Sequence, residues 1–328
     1  CKNIDYFYSQ QEESGAIRWK YDLADNSPVL DASNPEGVSL PLFAFAEYNL
    51  FHKSANKKRI KEVMPYLQKH MAWLDENFKQ ENGLYSVPVV AGGMDNSPRG
   101  EVCYPVDFNA CMAINAAHMA ALGDILNDKE LIFQYKKMYF SIKTRINNLM
   151  WDEETNFYYD LDKDENRLST KSIAAYWTLL AEIPNSDKAD CLVNRLNDPN
   201  WFGTDHPFPT LSVDNPNFSE DGNGYCGSIY PAFNFMVIKG LEKYGYYELA
   251  RECSIRHLYF VLESLMPNND KEPGDLFEAY LPNKEGCAKI SADGTMARKR
   301  FLHTTALSTI ALMIENVIGL SISLPRKT

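Results

Sequence analysis

Apolar residues recur along this chain at helical spacing, and two kinds of helix alternate. Residues 38–54, "VSLPLFAFAEYNLFHKS", are apolar around most of their circumference, which predicts a helix surrounded by others. Residues 58–83 carry a narrower stripe, Ile60, Val63, Met64, Leu67, Met71 and Leu74, which predicts an amphipathic helix ending at Gly83. The alternation then repeats. Residues 107–126 are apolar nearly all round and 128–150 are amphipathic; 171–183 precede 186–197; 228–245 precede 246–265; and 303–319 read as a last inner helix.

An inner ring of helices wrapped by an outer ring is the simplest way to bury such a set. The pattern therefore predicts an all-α chain, residues 1–328 forming a single (α/α)6 barrel, or toroid; a flat stack of helix pairs is the competing arrangement. About nine helices stand out, and "NIDYFYSQQ" at 3–11 reads as the tail of another, outer one. Six pairs need about twelve, so the first inner helix is expected to be missing and its place in the wall open. Cys1 opens the chain and runs directly into an amphipathic pattern, which reads as the continuation of a longer chain, with a lipid-anchored cysteine as the other reading.

Between the predicted helices lie long loops at 11–37, 81–106, 151–170, 198–227 and 266–302, rich in aromatic, acidic and glycine residues. Loops gathered on one rim are where a site forms. Aromatic faces stack on the C–H surfaces of sugars, and carboxylates accept their hydroxyl hydrogens.

Composition narrows the classes. The 328 residues carry a formal charge of −11, and the only basic clusters are "NKKRIK" at 56–61 and "ARKR" at 297–300, so no nucleic-acid partner is expected. No apolar run approaches the roughly 20 residues of a membrane span. Seven cysteines at 1, 103, 111, 191, 226, 253 and 287 form no CxxC pair, which points to a reduced, cytoplasmic setting and not to a disulfide framework. The six histidines make no metal motif, so neither metal nor cofactor is expected. The acids Asp160, Asp162 and Asp164 alternate like calcium ligands, but without the glycine and distal glutamate of an EF-hand they read as a solvated turn.

The tetrapeptide DNSP occurs twice, at 25–28 and 95–98. By itself it is a turn and helix-start signal. The second copy differs in its flanks, Gly92-Gly93 before and Arg99-Gly100 after, where a backbone is free to approach a ligand closely. Glycoside hydrolysis takes two carboxyl groups. Asp95 is one candidate. Glu278, between Phe277 and Tyr280 in "GDLFEAYLPNKEG", is its candidate partner, with Asp275 as the local competitor. An ordinary rim acid paired with a lysine or arginine is the other reading of Glu278.

These segments, taken together and in order, resemble glycoside hydrolase family 63 and, more distantly, the family 37 trehalases. "NGLYSVPVVAGGMDNSPRG", "YPVDFNACMAINA", "MWDEETNFYYDLD", "HPFPTLSVDNPNF", "GYCGSIYPAFNFMVIKGLEKYGYYELA" and "GDLFEAYLPNKEG" carry the resemblance across nearly the whole chain. It implies an (α/α)6 barrel and cofactor-free, inverting hydrolysis of an oligosaccharide or small α-linked glucoside or mannoside. Asp95 would be the general acid and Glu278 the general base, which leaves the first DNSP as a turn. Phe277 stands where the family has a tryptophan, and Tyr225, Cys226 and Tyr230 in "YCGSIYP" stand within its "WRGPIWP" segment. Tyr225, Tyr230 and Phe277 are thus candidate sugar contacts. Trp151, Asp152 and Lys171 sit where the family places rim contacts, and Trp19 and Arg18 follow a glycine-containing loop and would frame the site. Arg99 would orient Asp95 or a hydroxyl, or pair with a helix acid; Asp107 would bind hydroxyls or cap its helix. The departures also motivate a carbohydrate-binding or inactive relative. A sugar epimerase on the same barrel, using His206 and His303, is a third reading.

Overall fold

The computed structural model describes residues 2–266 and 274–326. Helices dominate, and their ends follow from local chemistry. The opening helix α1 (Lys2–Ser9) packs its Tyr8 against the second, α2 (Phe43–Ser54). Helix α2 starts later than its apolar run because residues before Pro41 are biased toward extended backbone. α3 (Lys57–Phe78) is capped by Asn56, whose side chain accepts from the Arg59 amide, and it stops short of Gly83. Residues 79–85 instead fold back, Lys79 pairing with Tyr85, and Gly83 takes the left-handed conformation of that turn (φ 83°).

α4 (Val106–Leu126) is buried without a break from Val106 to Ala116, as its all-round apolar pattern requires. α5 (Lys129–Arg145) is capped by Asp128, which accepts from the Glu130 and Leu131 amides, and a π-helical turn carries it on to Met150. The helix expected over 171–183 is much shorter: a 3₁₀ turn, Ile173–Tyr176, and α6 (Trp177–Leu180). α7 (Ser186–Leu196) is capped by Asn185, and α8 (Pro231–Lys243) has its proline in the first turn, where no amide partner is lost. α9 (Tyr247–Leu265) and α10 (Leu307–Leu312), the latter extended by π turns over 302–317, complete the set. Among the described residues the only sheet is a hairpin of β1 (Trp151–Asp152) and β2 (Phe157–Tyr158).

Inner helices pack one on the next: α2 on α4, α4 on α6, α6 on α8 and α8 on α10. Outer helices lie against them, α3 on α2 and α4, α5 on α4, and α9 on α8. Each short connection (55–56, 127–128, 181–185, 244–246) leads from an inner helix to an outer one, and each long loop leads back inward. Five long loops therefore lie on one rim. Among the described residues five inner helices are present. The gap between the last and the first is spanned by Ser323, 2.8 Å from His52, and by the Lys53–Glu315 ion pair at 3.3 Å.

α10 departs from its expected full burial. It buries Thr305, Thr309, Leu312 and Asn316, while Leu307, Ile310, Ile314 and Ile318 on its other side are exposed. Tyr259 and Leu262 on α9 and Met266 just past its end are exposed as well. Among the described residues no helix is long and apolar enough to cross a membrane. Cys1 lies outside the described residues; the other six cysteines are free thiols.

Candidate active site

The loop 92–100 is built around an ion cluster beneath it. The Arg99 guanidinium is fully enclosed and forks to two carboxylates, Asp107 (2.7 and 3.1 Å) and Asp160 (2.8 and 2.6 Å). Asp160 also accepts from the Val106 amide at 2.8 Å, so the start of α4 belongs to the same cluster. Burial alone would favour a neutral guanidine; the fields of Asp107 and Asp160 outweigh it and hold the charge. Gly92 is required here by contact, since a Cβ would lie 2.3 Å from an Asp107 carboxylate oxygen.

This arrangement corrects two expectations. Arg99 and Asp107 have no surface to offer a sugar; they anchor the loop, Arg99 by pairing with a helix acid. Asp160, read from sequence as part of a solvated acidic turn, is their buried partner. Asp162 is the residue that caps that turn, accepting from the Asp164 and Asn166 amides.

From this base the loop alternates, Met94 buried and Asp95 exposed. Asn96 ties it to the 222–230 segment: its Oδ1 accepts from the Tyr225 amide at 2.9 Å, and its Nδ2 donates to the Asn223 carbonyl at 3.0 Å. Gly224 adopts φ 63° at this junction, where a Cβ would be 2.6 Å from both the Asn96 Oδ1 and the Ile290 carbonyl oxygen. Thr170 donates to the Pro98 carbonyl at 2.8 Å and brings in the 151–172 loop.

The second carboxylate arrives on extended backbone. Ile229 and Tyr280 exchange backbone hydrogen bonds at 2.9 Å, and the Glu278 amide donates to the Arg298 carbonyl at 2.9 Å. Thr305, at the start of the last helix, donates to the Phe277 carbonyl at 2.7 Å. Glu278 is therefore seated between the extended segments at Ile229 and Arg298 and the start of the last helix. Arg298 grips its carboxylate with two bonds, 2.7 and 2.6 Å, and holds it below the usual glutamate range despite partial burial. Asp275, the local competitor, is used up as a turn former, its Oδ1 accepting from the Leu276 and Arg300 amides.

Tyr225 and Tyr230 stack between these segments, ring centroids 4.6 Å apart and nearly parallel at 13°. Burial raises both hydroxyls well above the usual tyrosine range, and the negative fields of Asp95 and Glu278 raise them further. Both carboxylates thus act on the same pair of phenols, although 183 positions separate them in sequence (278 − 95). Two acids beside a stacked aromatic pair are the elements for holding a sugar and moving protons at its glycosidic bond.

The remaining candidates lie elsewhere or are occupied. Phe277 is buried against Tyr280. The Arg18 guanidinium is held by Glu12 and Glu36, and Trp19 donates to the Val29 carbonyl at 2.7 Å within its own loop. Lys171 is paired with Asp214 and lies over the Trp201 ring at 4.1 Å. Trp151 and Asp152 line a separate cleft of about 800 Å³ with Lys143, Arg167 and Lys188, to which neither Asp95 nor Glu278 contributes. His206 is not on the rim: it is fully buried, stacked on Phe260 and 2.9 Å from His257, which removes the histidine pair an epimerase would use. The pairing of Glu278 with an arginine is what its rim-acid reading expected, but sequence did not identify Arg298, since "ARKR" was legible only as a basic cluster.

Comparison with known proteins agrees with this architecture. A protein of Borreliella burgdorferi with no described function is 51% identical over 327 residues, 99% of this chain and 68% of that protein. The mannosyl-oligosaccharide glucosidase of Saccharomyces cerevisiae is 24% identical over 83% of this chain, which spans only 34% of that enzyme. The fold is shared with the GH63 mannosylglycerate hydrolase of Thermus thermophilus, solved with Tris and D-glycerate: TM-score 0.77 at 17% identity, covering 94% of this chain and 87% of that one. Residues 1–285 match the family described as mannosylglycerate hydrolase MGH1-like glycoside hydrolase domains. An all-α chain with that match over most of its length belongs to the MGH1-like glycoside hydrolase family.

Proposed function

We propose that this chain hydrolyses an α-linked glucoside or mannoside with inversion, Asp95 acting as general acid and Glu278 as general base. The observation that carries the reading is a pair of carboxylates on separate loops that meet at the stacked Tyr225 and Tyr230, the Asp95 loop through Asn96 at the Tyr225 amide and the Glu278 segment through Tyr280 at Ile229. In the reaction, protonated Asp95 gives its proton to the glycosidic oxygen as the bond to the anomeric carbon breaks. Ionised Glu278 takes a proton from the water that attacks that carbon from the opposite face. The two roles need opposite protonation states. Arg298 favours the ionised form at Glu278, the form its role requires.

The test is the anomer first released. Proton NMR of α-linked glucosides and mannosides, glucosyl- and mannosylglycerate and trehalose among them, is expected to show β-sugar as the initial product. An initial α-anomer would make Glu278 a nucleophile and overturn the role assignment. No sugar released from any substrate, with the sugars still bound, would favour a carbohydrate-binding protein.

A further inference from the structure

Arg298 differs from an ordinary surface arginine in how it is held. Its own backbone accepts the Glu278 amide hydrogen bond at 2.9 Å, so the two residues lie side by side on neighbouring extended segments. Ala288 joins both segments, donating to the Ala279 carbonyl and accepting from the Ala297 amide. The fork is thus built by backbone register. Nε meets Oε2 at 2.7 Å and Nη2 meets Oε1 at 2.6 Å. Phe301 supports the guanidinium from one face at 4.5 Å. Exposure is unequal: the glutamate side chain is 16% exposed and the arginine 66%. An exposed ion pair contributes little to stability. A planar two-point grip, however, fixes the plane of a carboxylate, which a lysine cannot do. The Arg298 amide also donates to Oε2 at 3.5 Å, so Oε2 has two donors, whereas Oε1 meets the fork alone and keeps a lone pair for another donor.

We infer that Arg298 is the positioning residue of Glu278: it fixes the carboxylate plane and keeps it ionised, leaving a lone pair on Oε1 to receive the proton of the attacking water. This rests on the reading of Glu278 as general base. The other groups around the carboxylate do not serve this purpose. Asp95 and Asp275 are carboxyl groups and supply no positive charge, Tyr225, Tyr230 and Cys287 are weak acids raised by burial first, and Lys299 is a neighbour that acts on Cys287. Arg298 is the group that lowers Glu278. Without it the base would be protonated at higher pH and free to rotate.

The experiment uses the whole chain with Arg298→Gln, Arg298→Lys and Glu278→Gln. Carbon-13 glutamate carboxyl shifts are titrated, with Glu278→Gln identifying the signal, and hydrolysis of α-glucosyl and α-mannosyl fluoride is followed against pH. Glu278 is expected to titrate below ordinary glutamates in the native chain and about one pH unit higher in Arg298→Gln, with the acid limb of kcat/KM moving by the same amount. Even where Glu278 is ionised, kcat should fall about tenfold or more with KM nearly unchanged. Arg298→Lys should restore most of the titration midpoint but not kcat. A midpoint unchanged in Arg298→Gln overturns the inference, and decides alone if neither fluoride is hydrolysed. An inactive Glu278→Gln with an unmoved acid limb in Arg298→Gln sinks this inference only. A fully active Glu278→Gln sinks the base reading and this inference with it.

Discussion

At the scale of single residues, charge placement separates the working acids from the structural ones. Asp95 is exposed on its loop, whereas Asp107 is sealed under it with Arg99 and Asp160. Substituting Asp95→Asn or Glu278→Gln is expected to cut turnover of an unactivated glycoside by about 10²–10⁴-fold each. A glycosyl fluoride, whose leaving group needs little protonation, should rescue Asp95→Asn considerably and Glu278→Gln hardly at all. Equal rescue of both would contradict the division of roles. Arg99→Met should act differently, because it strands two buried carboxylates. A loss of about 3–5 kcal/mol in urea unfolding is expected, with activity reduced through the displaced loop. Stability within about 1 kcal/mol of the native chain would mean that water or a rearrangement replaces the guanidinium.

At the scale of elements, four fully or largely buried histidines fasten helices and loops in their neutral form. His70 on α3 lies 3.2 Å from the Gly15 carbonyl, and His118 on α4 lies 2.7 Å from the Ile114 carbonyl and against Phe45 and Tyr48 of α2. His257 on α9 joins Asn234 of α8, His206 and Thr309 of α10. Burial lowers His70 and His118 to about 4 and His257 to about 3, and lowers His206 well below the ordinary value of 6.5. The unfolded chain therefore takes up protons from pH 6.5 downward, where the folded chain does not. This part of the stability is complete above about pH 6.5 and is lost as pH falls toward 4, at about 1 kcal/mol per pH unit for each histidine. Denaturant unfolding between pH 7 and 4.5 should show that slope, and His118→Phe should make it shallower by about one proton. A pH-independent midpoint over this range would show that these histidines titrate normally in the fold.

At the scale of the whole molecule, the wall is uneven. Leu307, Ile310, Ile314 and Ile318 of the last inner segment are exposed together with Tyr259 and Leu262 of α9 and Met266 just past its end. Exposed apolar side chains on two helices that pack on each other are the kind of surface that binds hydrophobic dyes without unfolding. The folded chain is therefore expected to enhance the fluorescence of anilinonaphthalene sulfonate, and Leu307→Glu with Ile318→Glu should remove much of the enhancement at unchanged circular dichroism. No dye binding by the native chain would place other atoms over that face.

Periodicity alone made the alternation of inner and outer helices legible, because burial on one side or all sides writes itself into every third and fourth residue. Caps at Asn56, Asp128 and Asn185 are equally local, since each needs only its own next few amides. Gly92 and Gly93 marked the loop of Asp95, and Pro and Gly marked the loop of Glu278. Pairings between distant positions were not legible. Arg99 is 61 positions from Asp160, Arg298 is 20 from Glu278, and the shortening of α6 has no signature in its apolar run. The burial of His206 and the uncovered face of α10 belong to the same class. Local pattern states which side chains must leave water. Which charge each one meets there, and which face remains in water, is decided only when the ring of helices brings its loops together, because electrostatic partners are chosen by distance in space and not along the chain.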